Sequence, residues 1–180
     1  MKTFKILLIL AVVLGIIYYQ VDKYLFYYGK NDLHIYHSLP FKIVAEDRPP
    51  FEGGFALRDE YEGFTIAAKG NTYPVDNKQI LINKVLKYGF SPEHLVVVVI
   101  DSNGNRYYIE FKRKQNDTSD FNAVMNIDNG HYNSNLDKWV DIEGNDAYAG
   151  KLALLRNYLM FIVIILLLTL IYKLIGYRKI

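Results

Sequence analysis

The sequence predicts an α+β protein: a small antiparallel β-sheet domain with at least one packed helix, flanked by an N-terminal and a C-terminal transmembrane helix. Three observations carry this prediction. Each end of the 180-residue chain holds a long apolar run. The stretch between them contains β-rich segments and an Asn-Gly turn. One further segment repeats apolar residues at helical spacing.

The first apolar run, Ile6 to Val21, carries no charge. With Lys5 extending its stem towards the interface, residues 4–21 form the expected first span, close to the roughly 20 residues a bilayer requires. A cleaved signal peptide has the same opening, Lys2 and Lys5 followed by an apolar core. The next residues, Tyr18-Tyr19-Gln20-Val21-Asp22, offer no small-residue cleavage site, so an uncleaved anchor is expected. Tyr24, Tyr27 and Tyr28 follow it and suit an interfacial aromatic belt.

Residues 22–150 form the expected domain. Leu33 to Leu39 reads as a strand that breaks at Pro40 before Phe41 to Val44. Arg48 to Gly54 is a loop, and Phe55 to Arg58 and Gly63 to Ala68 are two short strands. Asp76 or Asn77 then caps a predicted soluble helix whose stripe is Ile80, Leu81, Lys84, Val85 and Tyr88, with Gly89 ending it. The clearest hairpin follows. His94 to Ile100 is a continuous apolar run, as in a strand buried on both faces. Asp101 to Asn105 turns the chain, and Arg106 to Lys112 returns as an alternating partner. Gln115 to Asn135 is polar and loop-like, with one short strand at Ala123 to Ile127. Leu136 to Gly150 is expected to be partly helical and leads into the second anchor.

That anchor, residues 152–175, has an uncharged centre from Asn157 to Tyr172. A helix apolar on every face needs a core larger than a domain of this size provides, so a membrane span is the expectation. Residues 1–3 and 176–180 remain as short basic tails.

Charge sets the expected orientation. All 19 acidic residues lie between Asp22 and Asp146, whereas the ends carry only Lys2, Lys5, Arg156, Lys173, Arg178 and Lys179. Lys/Arg in short tails favour the cytoplasmic side, which puts both termini there and the domain outside the cytoplasm. Lys23, Lys151 and Arg156 stand on the domain side and oppose this weakly. A basic excess beside apolar segments, not on the folded domain, also speaks against a nucleic-acid partner.

Site chemistry is sparse. The chain has no cysteine, which excludes disulfides, thiolate zinc sites, a cysteine nucleophile and thioether lipidation. Asp101-Ser102-Asn103-Gly104-Asn105 begins like a calcium loop. Arg106 stands where that loop needs glycine and Lys112 where it needs a bidentate glutamate, so a hairpin turn is expected. His34 and His37 fall on opposite faces of a strand, and His94 and His131 are distant in sequence, so no metal site is predicted. The serines lie in no nucleophile motif, no carboxylate pair stands out for acid–base work, and the glycine pairs lack a phosphate-cradle setting. Asn116-Asp117-Thr118 matches the N-glycosylation pattern, which has meaning only in a eukaryotic secretory pathway.

No catalytic residue, cofactor or metal is therefore expected. The anticipated function is a non-enzymatic membrane-anchored interaction module, a subunit or accessory factor of a membrane or envelope assembly. Its partners would be the lipid bilayer and either another membrane protein or a second copy. The alternatives are an extracytoplasmic ligand-binding sensor acting through a partner membrane protein and, third, an enzyme with a nonstandard site. The candidate interaction residues are Tyr24, Tyr27, Tyr28, Lys112, Arg113, Lys114 and Trp139, together with the Asn116 to Asn135 loop. Lys112-Arg113-Lys114 could meet an anionic headgroup or an acidic partner, and Trp139 could sit at a membrane surface or in the core.

Overall fold

The computed structural model describes residues 2–33, 39–49, 54–60, 65–75, 78–92, 94–113, 121–126 and 136–177. Helix α1, Lys2–Leu25, holds the first apolar run and ends in a 3₁₀ turn, Phe26–Tyr28. Strands β1 (Ile43–Asp47), β2 (Phe55–Asp59) and β3 (Thr65–Ala67) make one antiparallel sheet in that order. Strands β4 (Thr72–Val75), β5 (Lys78–Phe90), β6 (His94–Asp101), β7 (Arg106–Arg113) and β8 (Phe121–Asn126) follow one another across a second sheet, and β9 (Lys138–Asp141) pairs with β5. Every pairing among the described strands is antiparallel. Helix α2, Ile142–Tyr177, closes the described chain.

The hairpin forms as the sequence predicts. His94 faces Lys112 and Ile100 faces Arg106, and Gly104 supplies a positive φ of 83° in the turn. Val96, Val97, Val98 and Val99 are all fully buried, as expected of a strand covered on both faces. Leu95, Val97 and Val99 join the main core with Leu57 and Ile66 of the smaller sheet, while Val96 and Val98 join Leu86 and Tyr108 on the opposite face.

The soluble helix expected from Asn77 to Gly89 is instead strand β5. The cause is two register shifts. One falls between Ile82 and Lys84 and the other between Val85 and Lys87. Each bulge adds a residue and resets which side faces inward. Ile80, Ile82, Val85 and Tyr88 consequently all reach the core side, and their spacing of two, three and three imitates a helical stripe. Gly89 is no helix cap. A Cβ there would stand 2.7 Å from both Leu136 Cδ1 and the Trp139 ring, so the residue is small because β9 and its tryptophan pack on it. Among the described residues no separate soluble helix covers the sheet. That place is taken by the end of α1 and the start of α2, through Leu25, Ile142 and Ala149 in the main core.

Both long helices are thereby built into the domain. Asp141 ends β9 and caps α2, its Oδ1 accepting the Gly144 N–H at 2.8 Å. No residue separates strand from helix. At the other junction Gly29 adopts φ 68°, and a Cβ there would stand 2.5 Å from the Asp47 nitrogen. Its carbonyl accepts the Asp47 N–H at 3.3 Å. The Tyr88 hydroxyl donates to the Tyr27 carbonyl at 2.6 Å. Beyond these junctions the helices are apolar and largely uncovered, with 6% of the α1 apolar window buried and 11% of that in α2.

The strand predicted over Leu33 to Leu39 falls mostly on residues 34–38, outside the described residues. Leu39 itself bridges Ile43, and Pro40 opens a 3₁₀ turn, Pro40–Lys42.

Candidate functional site

Two arrangements of polar side chains stand out, and Lys30 belongs to both. The first lies where the apolar runs meet the domain. Asp22, the residue after the first charge-free run, and Arg156, the residue before the second, form an ion pair at 2.8 Å with side chains 0% and 5% exposed. Asp32, half exposed, adds a second carboxylate to Arg156 at 2.9 Å. Arg156 also donates to the Lys30 carbonyl and to Asn157 Oδ1. Asp22 in turn accepts the backbone N–H of Asp32 at 2.9 Å and of Leu33 at 3.0 Å. A buried charge is tolerable only when paired and hydrogen-bonded, and here each partner meets that condition. This clasp joins α1 to α2 across 134 positions of sequence.

The second arrangement is an open cleft of about 770 Å3 between the first turn of α2 and the strands facing it. Its apolar lining includes Phe55, Val85 and Ile142. The Lys30 ammonium bridges Asp47 and Asp146. Burial disfavours that ammonium, but the two carboxylates outweigh it and raise its pKa above the usual lysine value. Lys84 pairs with Glu143 at 2.8 Å, and Arg48 pairs with Glu46 at 2.7 Å while donating to Thr65 Oγ1 at 3.0 Å.

The predicted interaction residues divide. Tyr28 is buried and Tyr27 is packed: its ring stacks on Phe90 with centroids 5.9 Å apart, and Lys138 Nζ lies 3.2 Å from its centre. Tyr24 is 38% exposed and meets Tyr28 and Tyr148. Trp139 is 39% exposed, with Lys87 Nζ 4.8 Å from its ring. Lys112 and Arg113 lie at the end of β7, in register with Asn122 and Phe121 of β8. Lys114 lies outside the described residues, as does the Asn116 to Asn135 loop apart from β8. Tyr24 and Tyr28 are thus brought together, Tyr27 packs separately with Phe90 and Lys138, and Lys112 and Arg113 belong to a different strand, β7.

The Asp101 turn is closed on itself. Asp101 Oδ1 accepts from Asn103 N and Asn105 N, both at 2.8 Å, and Oδ2 accepts from Asn105 and Tyr107. Desolvation opposes its ionisation, but these hydrogen bonds outweigh it and hold the carboxyl below its ordinary pKa. His94 Nδ1 lies 3.0 Å from the Glu110 carboxylate; His131 lies outside the described residues. Among the described residues no three His, Asp or Glu side chains converge to hold a metal ion. Sequence reasoning missed the clasp because its members are far apart. The one signal was Arg156 itself, a charge set directly against an apolar run.

No protein-family model matches this chain, and no match is found among curated proteins or solved structures.

Proposed function

We propose that this chain is a two-pass membrane protein whose rigidly mounted β-domain serves as a non-enzymatic interaction module, a subunit or accessory factor of a membrane assembly. The observation that carries this reading is the clasp together with its junctions. Two apolar helices leave the domain side by side, locked by a buried ion pair at the point where each loses its charges. At 1.5 Å per residue α1 is about 36 Å long and α2 about 54 Å, enough to cross a hydrocarbon layer of about 30 Å. The low burial of their apolar windows also suits lipid better than a protein core.

The domain faces away from the cytoplasm in this proposal, and both termini are cytoplasmic. Arg156, which opposed that orientation as a sequence feature, is offset by Asp22 and Asp32, so its weight against the basic tails falls. Single cysteines at Ser102 and Thr3 test the orientation in a chain that has none of its own. Labelling from outside intact cells at Ser102 alone is expected, and the reverse pattern overturns it.

The partners are the bilayer and another membrane protein or a second copy. Affinity purification of the tagged full-length chain in gentle detergent, with co-eluting chains identified by mass spectrometry, tests the assembly reading. A stoichiometric partner or a defined homo-oligomer is expected. A monomer alone rejects it. A second reading, a ligand-binding domain acting through a partner, draws on the cleft beside α2.

A further inference from the structure

We propose that the cleft is a binding site for a small organic anion, an apolar body carrying a carboxylate or phosphate group. Most of its charges are already engaged with one another. Among the cleft's acidic residues, Asp47 and Asp146 are held by Lys30, and Glu143 is held by Lys84. Those two ammonium groups face three carboxylates, and the further cations Arg48 and Lys69 bring the lining as a whole to one net positive charge. Lys69 and Arg48 remain. Lys69 is exposed and makes no side-chain ion pair among the described residues. Arg48 spends Nε and Nη2 on Glu46 and Thr65, leaving Nη1 without a hydrogen bond among the described residues. The unspent donors of the lining are thus the Lys69 ammonium, Arg48 Nη1 and the neutral Asn83 amide, and the two cationic ones suit an anion.

The apolar lining sets the rest of the ligand. The half-buried Phe55, the buried Val85 and Ile142, and the exposed Pro49 give apolar lining to a space of about 770 Å3. Small-molecule sites commonly have that size and that combination of an apolar lining with a few polar groups. An aromatic or aliphatic body on Phe55, with its charged head towards Lys69 and Arg48, satisfies both parts. The site does not depend on whether the chain has a protein partner.

The test uses the full-length protein in phosphatidylcholine nanodiscs, with empty nanodiscs subtracted. The probes are 3-phenylpropionate, phenyl phosphate and the uncharged 3-phenylpropanamide, followed by ligand-observed NMR titration. Saturable binding of at least one anion is expected, with the amide about tenfold weaker or worse, the loss of one charge-assisted contact. The two anions separate carboxylate from phosphate preference. Lys69→Glu, in an exposed turn, is expected to weaken the bound anion about tenfold or more while leaving the melting temperature unchanged. The proposal is overturned if neither anion saturates, if the amide binds as tightly as the acids, or if Lys69→Glu leaves affinity unaltered. Saturation by an anion that Lys69→Glu abolishes supports it even where no partner protein co-purifies.

Discussion

Replacing Asp22 with asparagine removes one charge from the clasp and almost no volume. Arg156, 5% exposed, then loses its buried counter-ion. Removing one member of a buried pair costs about 3–5 kcal/mol, because the remaining charge is left in a poorly solvated site. Asp32 still offers a carboxylate at 2.9 Å but is half exposed, which places the expected loss near the lower end, about 3 kcal/mol. For a domain of this size that lowers the melting temperature by roughly 10 °C. Arg156→Met should cost a similar amount, since Asp22 is fully buried. The double variant leaves no unpaired buried charge and should be more stable than the sum of the two losses implies, by about 1–3 kcal/mol. Asp32→Asn, at the exposed member, should cost below about 1 kcal/mol. Thermal unfolding of the full-length protein in mild detergent, followed by near-ultraviolet circular dichroism, reads all four. An Asp22→Asn protein within about 0.5 kcal/mol of the native one, or strict additivity in the double variant, would refute the reasoning that the pair is buried and mutually dependent.

Gly29→Ala should destabilise by about 2 kcal/mol or more, from a left-handed φ and a Cβ 2.5 Å from the β1 backbone; expression yield and melting temperature check it. Tyr88→Phe removes the hydroxyl bonded to the Tyr27 carbonyl and should cost about 1 kcal/mol by the same melting assay, since a half-buried acceptor loses its donor. Burial pushes the Tyr73 hydroxyl up to about 12. Unfolded chain loses that proton from about pH 10 while folded chain keeps it, so stability falls between those values, by at most about 3 kcal/mol, and Tyr73→Phe should flatten the fall in an alkaline melting series. The Asp101 carboxyl behaves oppositely: its contribution is present above the unfolded value of about 4 and disappears as pH drops through its lower folded value, so Asp101→Asn should flatten the acid limb. Millimolar calcium should leave the melting temperature unchanged, because both Asp101 oxygens already serve the turn.

The parts of the fold that were legible depend on local chemistry. Val96 to Val99 announce a strand buried on both faces, and Asn103-Gly104 announces its reversal, because β-branching and positive φ act within a few residues. The apolar ends are legible for the same reason. Strand β5 was not, because Asn83 and Leu86 are extra residues whose effect appears only against β6. A bulge breaks the two-residue period that distinguishes a strand, and two bulges three residues apart counterfeit a helical one. The clasp was illegible for a different reason. Arg156 read alone is a charge that interrupts an apolar stretch, and only the fold supplies Asp22. Tyr27 and Tyr28 looked like solvent- or lipid-facing aromatics, but the turn after α1 folds them back onto Phe90 and Tyr24.

The passage of β9 straight into α2 has a mechanical consequence. A loop between a sheet and a helix acts as a swivel, letting each reorient while the other stays still. Here the strand's last residue is also the helix cap, and the same strand is bonded along Lys87 to Phe90 of β5. Turning α2 about its long axis would shear that ladder, and leaning it would carry the sheet along. Force applied to the far end of the helix therefore arrives at the cleft as a displacement of its wall, since Ile142, Glu143 and Asp146 belong to the lever itself.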